Sequence, residues 1–218
     1  MVHLKRQNIG KFLAIPRKGT TYLSVASHNK KNSIPLVVVL RDILKLIKNK
    51  KELKRLINEK QIQINHKEIR STNYPVCLFD IINLPGAKKN YKATLSKNKK
   101  MIFEEVSDKE AQTKILKVTN KKILPGNKIQ VNFMHGKNLI VKEKVNAGDS
   151  VLLNLKENKI EKILPMEKGK TAFVIWGKHA GYYGKIDSIE ERGGKQIAKI
   201  RSEDSKINVW IKNLIIIK

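Results

Sequence analysis

Positive charge is the feature that most limits what this chain can become. Lysine and arginine number 46 against 19 aspartates and glutamates, a formal net charge of +27 at neutral pH and a pI near 10.1. A compact body with that charge repels itself, which opposes folding unless a polyanion screens it. Nucleic acid supplies dense phosphate and gains affinity by releasing counterions. An anionic membrane is the competing partner, but a surface-binding helix needs a strong apolar face opposite its basic one. No stretch here shows such a face that is not better used as core. The expected partner is therefore nucleic acid, and no membrane.

The 218 residues suffice for one large domain or two to three small ones. Aromatics are only 6 %, so small cores of Ile, Leu and Val are expected. A single cysteine, Cys77, excludes an intrachain disulfide and a multi-cysteine zinc site. It reads as a small buried residue. His3, His28, His66, His135 and His179 lie far apart, so neither a metal site nor a cofactor is expected. The apolar run Ile34–Leu40 is too short to span a bilayer and meets Arg41 and Asp42. With no signal peptide visible, a soluble cytoplasmic protein is expected.

Catalytic chemistry finds no support. No G-x-G-x-x-G follows a predicted strand and there is no P-loop. Asp80 reads as a strand-end residue, Asp108 as a first-turn helix residue, and Asp149 and Asp187 as turn residues. The chain is expected not to be an enzyme, with no catalytic residues and no small-molecule substrate.

Before Asp42 the chain carries no acidic residue, while Lys5, Arg6, Lys11, Arg17, Lys18, Lys30, Lys31 and Arg41 are all basic. With Gly10, Pro16, Gly19 and Pro35 breaking any period, residues 1–34 predict an irregular basic arm anchored by a few apolar side chains. Residues 36–48 carry Leu36, Leu40, Ile43, Leu44 and Ile47 at helical spacing. Asn49 with Glu52 has the pattern of a capping box and opens a second helix to about Asn58, whose buried face is Leu53, Leu56 and Ile57. Ile62–Ile64 predicts a strand, Asn65-His66-Lys67 a turn, and Val76–Ile82 another strand. The loop at 84–90 is a candidate boundary. Beyond it, Tyr91–Ser96 and Met101–Val106 predict a hairpin, and Ser107–Glu110 one helical turn. Strands follow at 115–119, 129–133, 139–141, 151–155 and 160–164, with turns that include Pro125-Gly126-Asn127. The last unit predicts strands at 171–176, 186–189, 197–200 and 207–211, with Gly177, Gly181 and Gly184 in a tight loop and Arg192-Gly193-Gly194 as a turn.

Two blocks carry a resemblance. Residues 35–83, helix–turn–helix then strands, resemble the S4-type RNA-binding domain, which presents basic side chains to structured RNA. The matching positions are Arg41 and Lys45 on the first helix and Lys54 and Arg55 on the second, followed by Lys60, Lys67 and Arg70. Phe173–Ile186 resembles a KOW motif, in which glycines permit positive φ and close backbone approach; Lys178, His179 and Lys185 are its candidate RNA contacts. The opening His3-Leu4-Lys5-Arg6, the run Pro35–Asp42 and Tyr74–Ile81 resemble segments of the archaeal and eukaryotic small-subunit ribosomal protein family S4e. The likeness spans nearly the whole chain, is thinnest in the middle third, and looks more archaeal than eukaryotic. Cys77 and Phe79 depart from it, standing where the family usually has Gly and Met.

The resemblance implies a multi-domain α+β protein. Its parts would be a basic arm (1–34), an S4-type domain of helical hairpin plus strands (35–86), a β-rich central domain (87–165) and an SH3-like KOW β-barrel (166–218). It implies a structural constituent of the small ribosomal subunit that binds ribosomal RNA and contacts neighbouring ribosomal proteins. His3, Lys5 and Arg6 join the RNA-binding candidates on that ground. The alternative is an RNA-binding assembly or elongation factor with a KOW domain.

Overall fold

Short runs of β-branched and aliphatic residues between turn signals dominate the sequence, and the fold is accordingly mostly β, with two short α-helices among the described residues. The computed structural model describes residues 3–10, 12–126, 128–141, 145–202 and 206–217, and of Lys195 the backbone only. Met1 and Val2 of the opening motif, Lys11 of the arm and Asn127 of the expected turn lie outside these residues. The chain divides into two compact units, Met1–Leu95 with Lys99–Lys114, and Ser96–Asn98 with Ile115–Lys218.

In the first unit the arm holds more structure than its composition suggests. Strand β1 (Leu4–Lys5) pairs antiparallel with β2 (Tyr22–Leu23), Lys5 opposite Tyr22. After β3 (Ser33–Pro35) comes helix α1 (Leu36–Val38), continued by a π-type turn over Val39–Ile43. The helix expected to reach residue 48 therefore stops early. Leu44 N–H donates to Val39 O, Leu46 N–H and Ile47 N–H both turn back to Leu40 O, and Lys45 adopts φ 54°. Residues 36–40 are all buried, which a one-sided helix would not allow, and Ile47 reaches the core from an irregular segment.

Helix α2 (Lys50–Asn58) begins at Asn49 as expected and buries Leu53 and Ile57. The cap differs from the expected box: Asn49 makes no side-chain cap, and Glu52 accepts a bond from the Lys48 N–H at 2.9 Å. Strands β4 (Gln63–Ile64) and β5 (Lys67–Glu68) join through Asn65 and His66, both at positive φ, as a two-residue hairpin turn requires.

The apolar run at 76–82 is two strands rather than one. Strand β6 (Pro75–Cys77) pairs with β3, and β7 (Ile81–Leu84) pairs with β4. Phe79, at φ 61°, turns the chain between them, and the Asp80 carboxylate accepts the Cys77 N–H at 2.6 Å. A turn at Pro85–Ala87 leads from β7 into its neighbour β8 (Lys89–Leu95), which forms the expected hairpin with β9 (Met101–Val106). The resulting sheet runs β5-β4-β7-β8-β9.

In the second unit, β10 (Thr113–Leu124, its first two residues belonging to the first unit), β11 (Lys128–Phe133), β12 (Asn138–Val141), β13 (Ser150–Asn154) and β14 (Ile160–Leu164) form a sheet of order β12-β11-β10-β13-β14. Another sheet contains β15 (Thr171–Val174), β16 (Tyr183–Arg192), β17 (Lys195–Arg201), β18 (Lys206–Trp210) and β19 (Leu214–Ile216). Its order is β18-β17-β16-β15-β19, with Val174, Ile186, Ile200, Ile207 and Leu214 in its core. Strand β15 ends at Val174, short of the expected Trp176, and β19 is a strand that the sequence pattern does not predict.

Candidate nucleic-acid interface

Two basic grooves lie in the first unit. One is built by the arm. Pairing of β1 with β2 sets Lys5 beside Tyr22, and the loop between them brings Arg17 and Lys18 to the same wall. The groove encloses about 550 Å³, and no carboxylate is among the described residues that line it. Arg6 acts as its clasp: Nε donates to Thr20 O at 2.8 Å, Nη1 to Pro16 O at 2.8 Å and Nη2 to Thr20 Oγ1 at 2.9 Å. Its fork is thus engaged in holding the loop. Gly19, at φ 140°, lies against the guanidinium, and a Cβ there would come within 2.9 Å of Arg6 Cζ. The exposed His3 ring sits 5.8 Å from the Tyr22 ring, centroid to centroid.

The second groove is lined by Lys50, Lys51, Lys54, Arg70, Ser71 and Thr72, and encloses about 450 Å³. Helix α2 places Lys50 and Lys54 one turn apart on one face, and the segment after β5 delivers Arg70. The structure thus brings the predicted Lys54 and Arg70 together and adds Lys50 and Lys51, which the sequence reading does not single out. The i, i+4 spacing of Lys50 and Lys54 is the signal that points to them. In the arm, Arg17 and Lys18 are basic in the sequence but become groove residues only through the Arg6 clasp.

Other candidates are already paired with carboxylates. Arg41 donates from Nε and Nη2 to both Asp42 oxygens at 2.8 Å, and this bond raises its pKa. Arg55 bonds Glu59 at 2.7 Å one helical turn away, which raises its pKa too. Lys60 lies 3.1 Å from Glu68. A phosphate ligand would have to compete with an acid for each of these. Lys45 and Lys67 are exposed, Lys45 on the left-handed turn that ends the first helical segment.

In the second unit Lys178 and Lys185 are exposed, and the His179 ring meets the Tyr182 ring edge-on at 6.0 Å. Gly177 and Gly181 adopt positive φ. Gly184 has a different role: a Cβ there would lie 2.3 Å from Ile200 Cγ2 and 2.6 Å from Arg201 O, so glycine allows β16 to sit close on β17.

Cys77 is buried and hydrogen-bonded by Asn29 Nδ2 at 3.1 Å. Burial first, and Asp80 second, push its thiol pKa up to about 12, so it is protonated and unreactive at neutral pH.

A model of the ribosomal family S4e matches residues 87–160, the stretch in which the resemblance read from sequence is thinnest. The small ribosomal subunit protein eS4 of Methanospirillum hungatei is 34 % identical over 190 residues, which span 84 % of this chain and 78 % of the relative. The eS4 of Archaeoglobus fulgidus is 33 % identical over 192 residues, spanning 87 % and 80 %. Among solved structures, the 30S ribosomal protein S4e from Thermoplasma acidophilum aligns with a TM-score of 0.74 at 25 % identity, covering 86 % of this chain and 96 % of that one.

Proposed function

The chain belongs to the S4e ribosomal protein family, a structural constituent of the small ribosomal subunit, and from that premise we propose that it grips ribosomal RNA mainly through its first unit. The observation that carries this reading is the groove in which Lys50, Lys51, Lys54 and Arg70 converge, with no carboxylate among the described residues that line it. Structured RNA is held largely by shape and by phosphate and sugar contacts, and such a groove suits a phosphate backbone. In this reading residues 1–34 are the RNA-binding arm and 35–86 an S4-type domain. Residues 87–165 form the central domain and 166–218 a KOW barrel. The two helices with the Asn65-His66 hairpin support the S4-type assignment, and the close β16–β17 approach at Gly184 supports the KOW one. Lys178, His179 and Lys185 contribute a smaller share of affinity. The protein is non-catalytic, acts in the cytoplasm on the ribosome, and touches neighbouring ribosomal proteins.

Binding to one ribosomal RNA fragment across a salt series tests this. The Lys54→Ala/Arg70→Ala variant is expected to lose more affinity than Lys178→Ala/Lys185→Ala. Its log–log salt slope should become shallower by about 0.7–0.9 for each phosphate that is no longer neutralised. Circular dichroism verifies folding of both. Greater loss in the second variant would make the C-terminal unit the principal anchor.

A further inference from the structure

The arm groove holds more than cations. Tyr22 is 57 % exposed although it lies in a strand, and its ring is paired with the exposed His3. Beside it stand Lys5, Arg17 and Lys18, and the exposed Gln7 and Thr21 complete the wall. Cations, a solvent-facing aromatic pair and neutral hydrogen-bonding groups therefore share one cleft. Its volume of about 550 Å³ falls within the roughly 300–1,000 Å³ of clefts that enclose small ligands.

We propose that this cleft takes one unpaired nucleotide of single-stranded RNA, with its base stacked on Tyr22 and its phosphate held by Lys5, Arg17 and Lys18. The inference rests on the RNA-binding reading above and narrows it for the arm. A duplex keeps its bases stacked inside and offers an aromatic ring only its backbone; an unpaired base offers a π-face. A tyrosine hydroxyl can donate to a phosphate, but only an unpaired base uses the exposed ring face as well. Arg6 is the positioning residue. Its fork is spent on Pro16 and Thr20, which fixes the loop that carries Arg17 and Lys18.

The full chain is titrated with a single-stranded RNA heptamer bearing 2-aminopurine at its centre, with a blunt RNA duplex as competitor. Wild type is expected to quench the 2-aminopurine, and the single strand to resist the duplex. Tyr22→Leu should lose the quench and at least about fivefold in affinity, the lower end of base–aromatic stacking, with an unchanged salt slope. Tyr22→Phe should retain both quench and affinity, which separates stacking from a hydroxyl contact, and an unchanged circular dichroism spectrum and salt slope in Tyr22→Leu separates it from a folding defect. Lys18→Ala should keep the quench when saturated but show a slope shallower by about 0.7. Wild-type quench and affinity in Tyr22→Leu, or equal competition by the duplex, would overturn the proposal and leave the RNA reading intact. Should Lys18→Ala also match wild type in affinity and slope, the RNA reading of the arm fails with it.

Discussion

Lys114 donates its ammonium proton to the Asp80 carboxylate, 34 residues earlier in the chain, and both side chains are more than nine-tenths buried. Asp80 also accepts from Asn65 Nδ2 at 2.7 Å and from the Cys77 N–H at 2.6 Å. One carboxylate thereby joins the β4–β5 turn, the end of β6 and the start of β10. Removing one partner of such a pair strands a buried charge. Asp80→Ala is expected to destabilise the protein by roughly 3–5 kcal/mol in urea unfolding, and Asp80→Asn with Lys114→Met, which keeps acceptors for Asn65 and Cys77 and strands no charge, to recover most of that loss. A neutral Asp80→Ala would contradict this.

Lys117 is buried without an acid partner among the described residues. Its ammonium donates to the backbone carbonyls of Ile211 and Leu214. Burial lowers its pKa from 10.5 to about 8. Below about pH 8 folded and unfolded chains both hold the proton, and stability is flat. Between about 8 and 10.5 only the unfolded chain holds it, so stability rises with pH. Lys117→Met separates this from the other lysines. Between pH 7.5 and 9.5 the stability difference should move toward wild type by on the order of 2 kcal/mol. An unchanged or reversed difference in thermal unfolding would exclude the linkage.

Arg41 and Arg55 are each held by a neighbouring acid, so neutralising that acid should free them for phosphate. Asp42→Asn and Glu59→Gln are each expected to tighten ribosomal RNA binding by up to about fivefold, a small effect because exposed pairs are weak. Both should leave thermal stability nearly unchanged. Weaker RNA binding in either variant would mean that the ion pair itself shapes the RNA-facing surface.

Local signals are legible where one residue type serves one purpose. Asn65-His66 marks a turn because few residues tolerate positive φ, and Leu53 and Ile57 mark the inner face of α2 by spacing. What stays hidden is set by partners distant in sequence. Phe79 looks like a strand residue, yet Asp80 holds Cys77 from below and forces a turn there. Lys114 and Lys117 interrupt an apolar run around Ile115 and Leu116, a sign of buried charge, but their partners, the Asp80 carboxylate and the carbonyls of Ile211 and Leu214, lie far off in the sequence. In the arm, composition shows the cations but not the clasp: Arg6 looks like an RNA ligand until its three bonds to the loop are seen. The same holds for Arg41, whose neighbour Asp42 is visible in the sequence and whose fork geometry is not.

Membership of the small subunit is tested most directly by occupancy. Ribosomes from cells that express this chain are separated on a sucrose gradient, and the protein is quantified against small-subunit ribosomal RNA. One copy per small subunit is expected, retained through moderate salt and released at high salt as counterions replace the phosphate contacts. Recovery of the chain mainly in the ribosome-free fraction, from cells whose small subunits are intact, would contradict it.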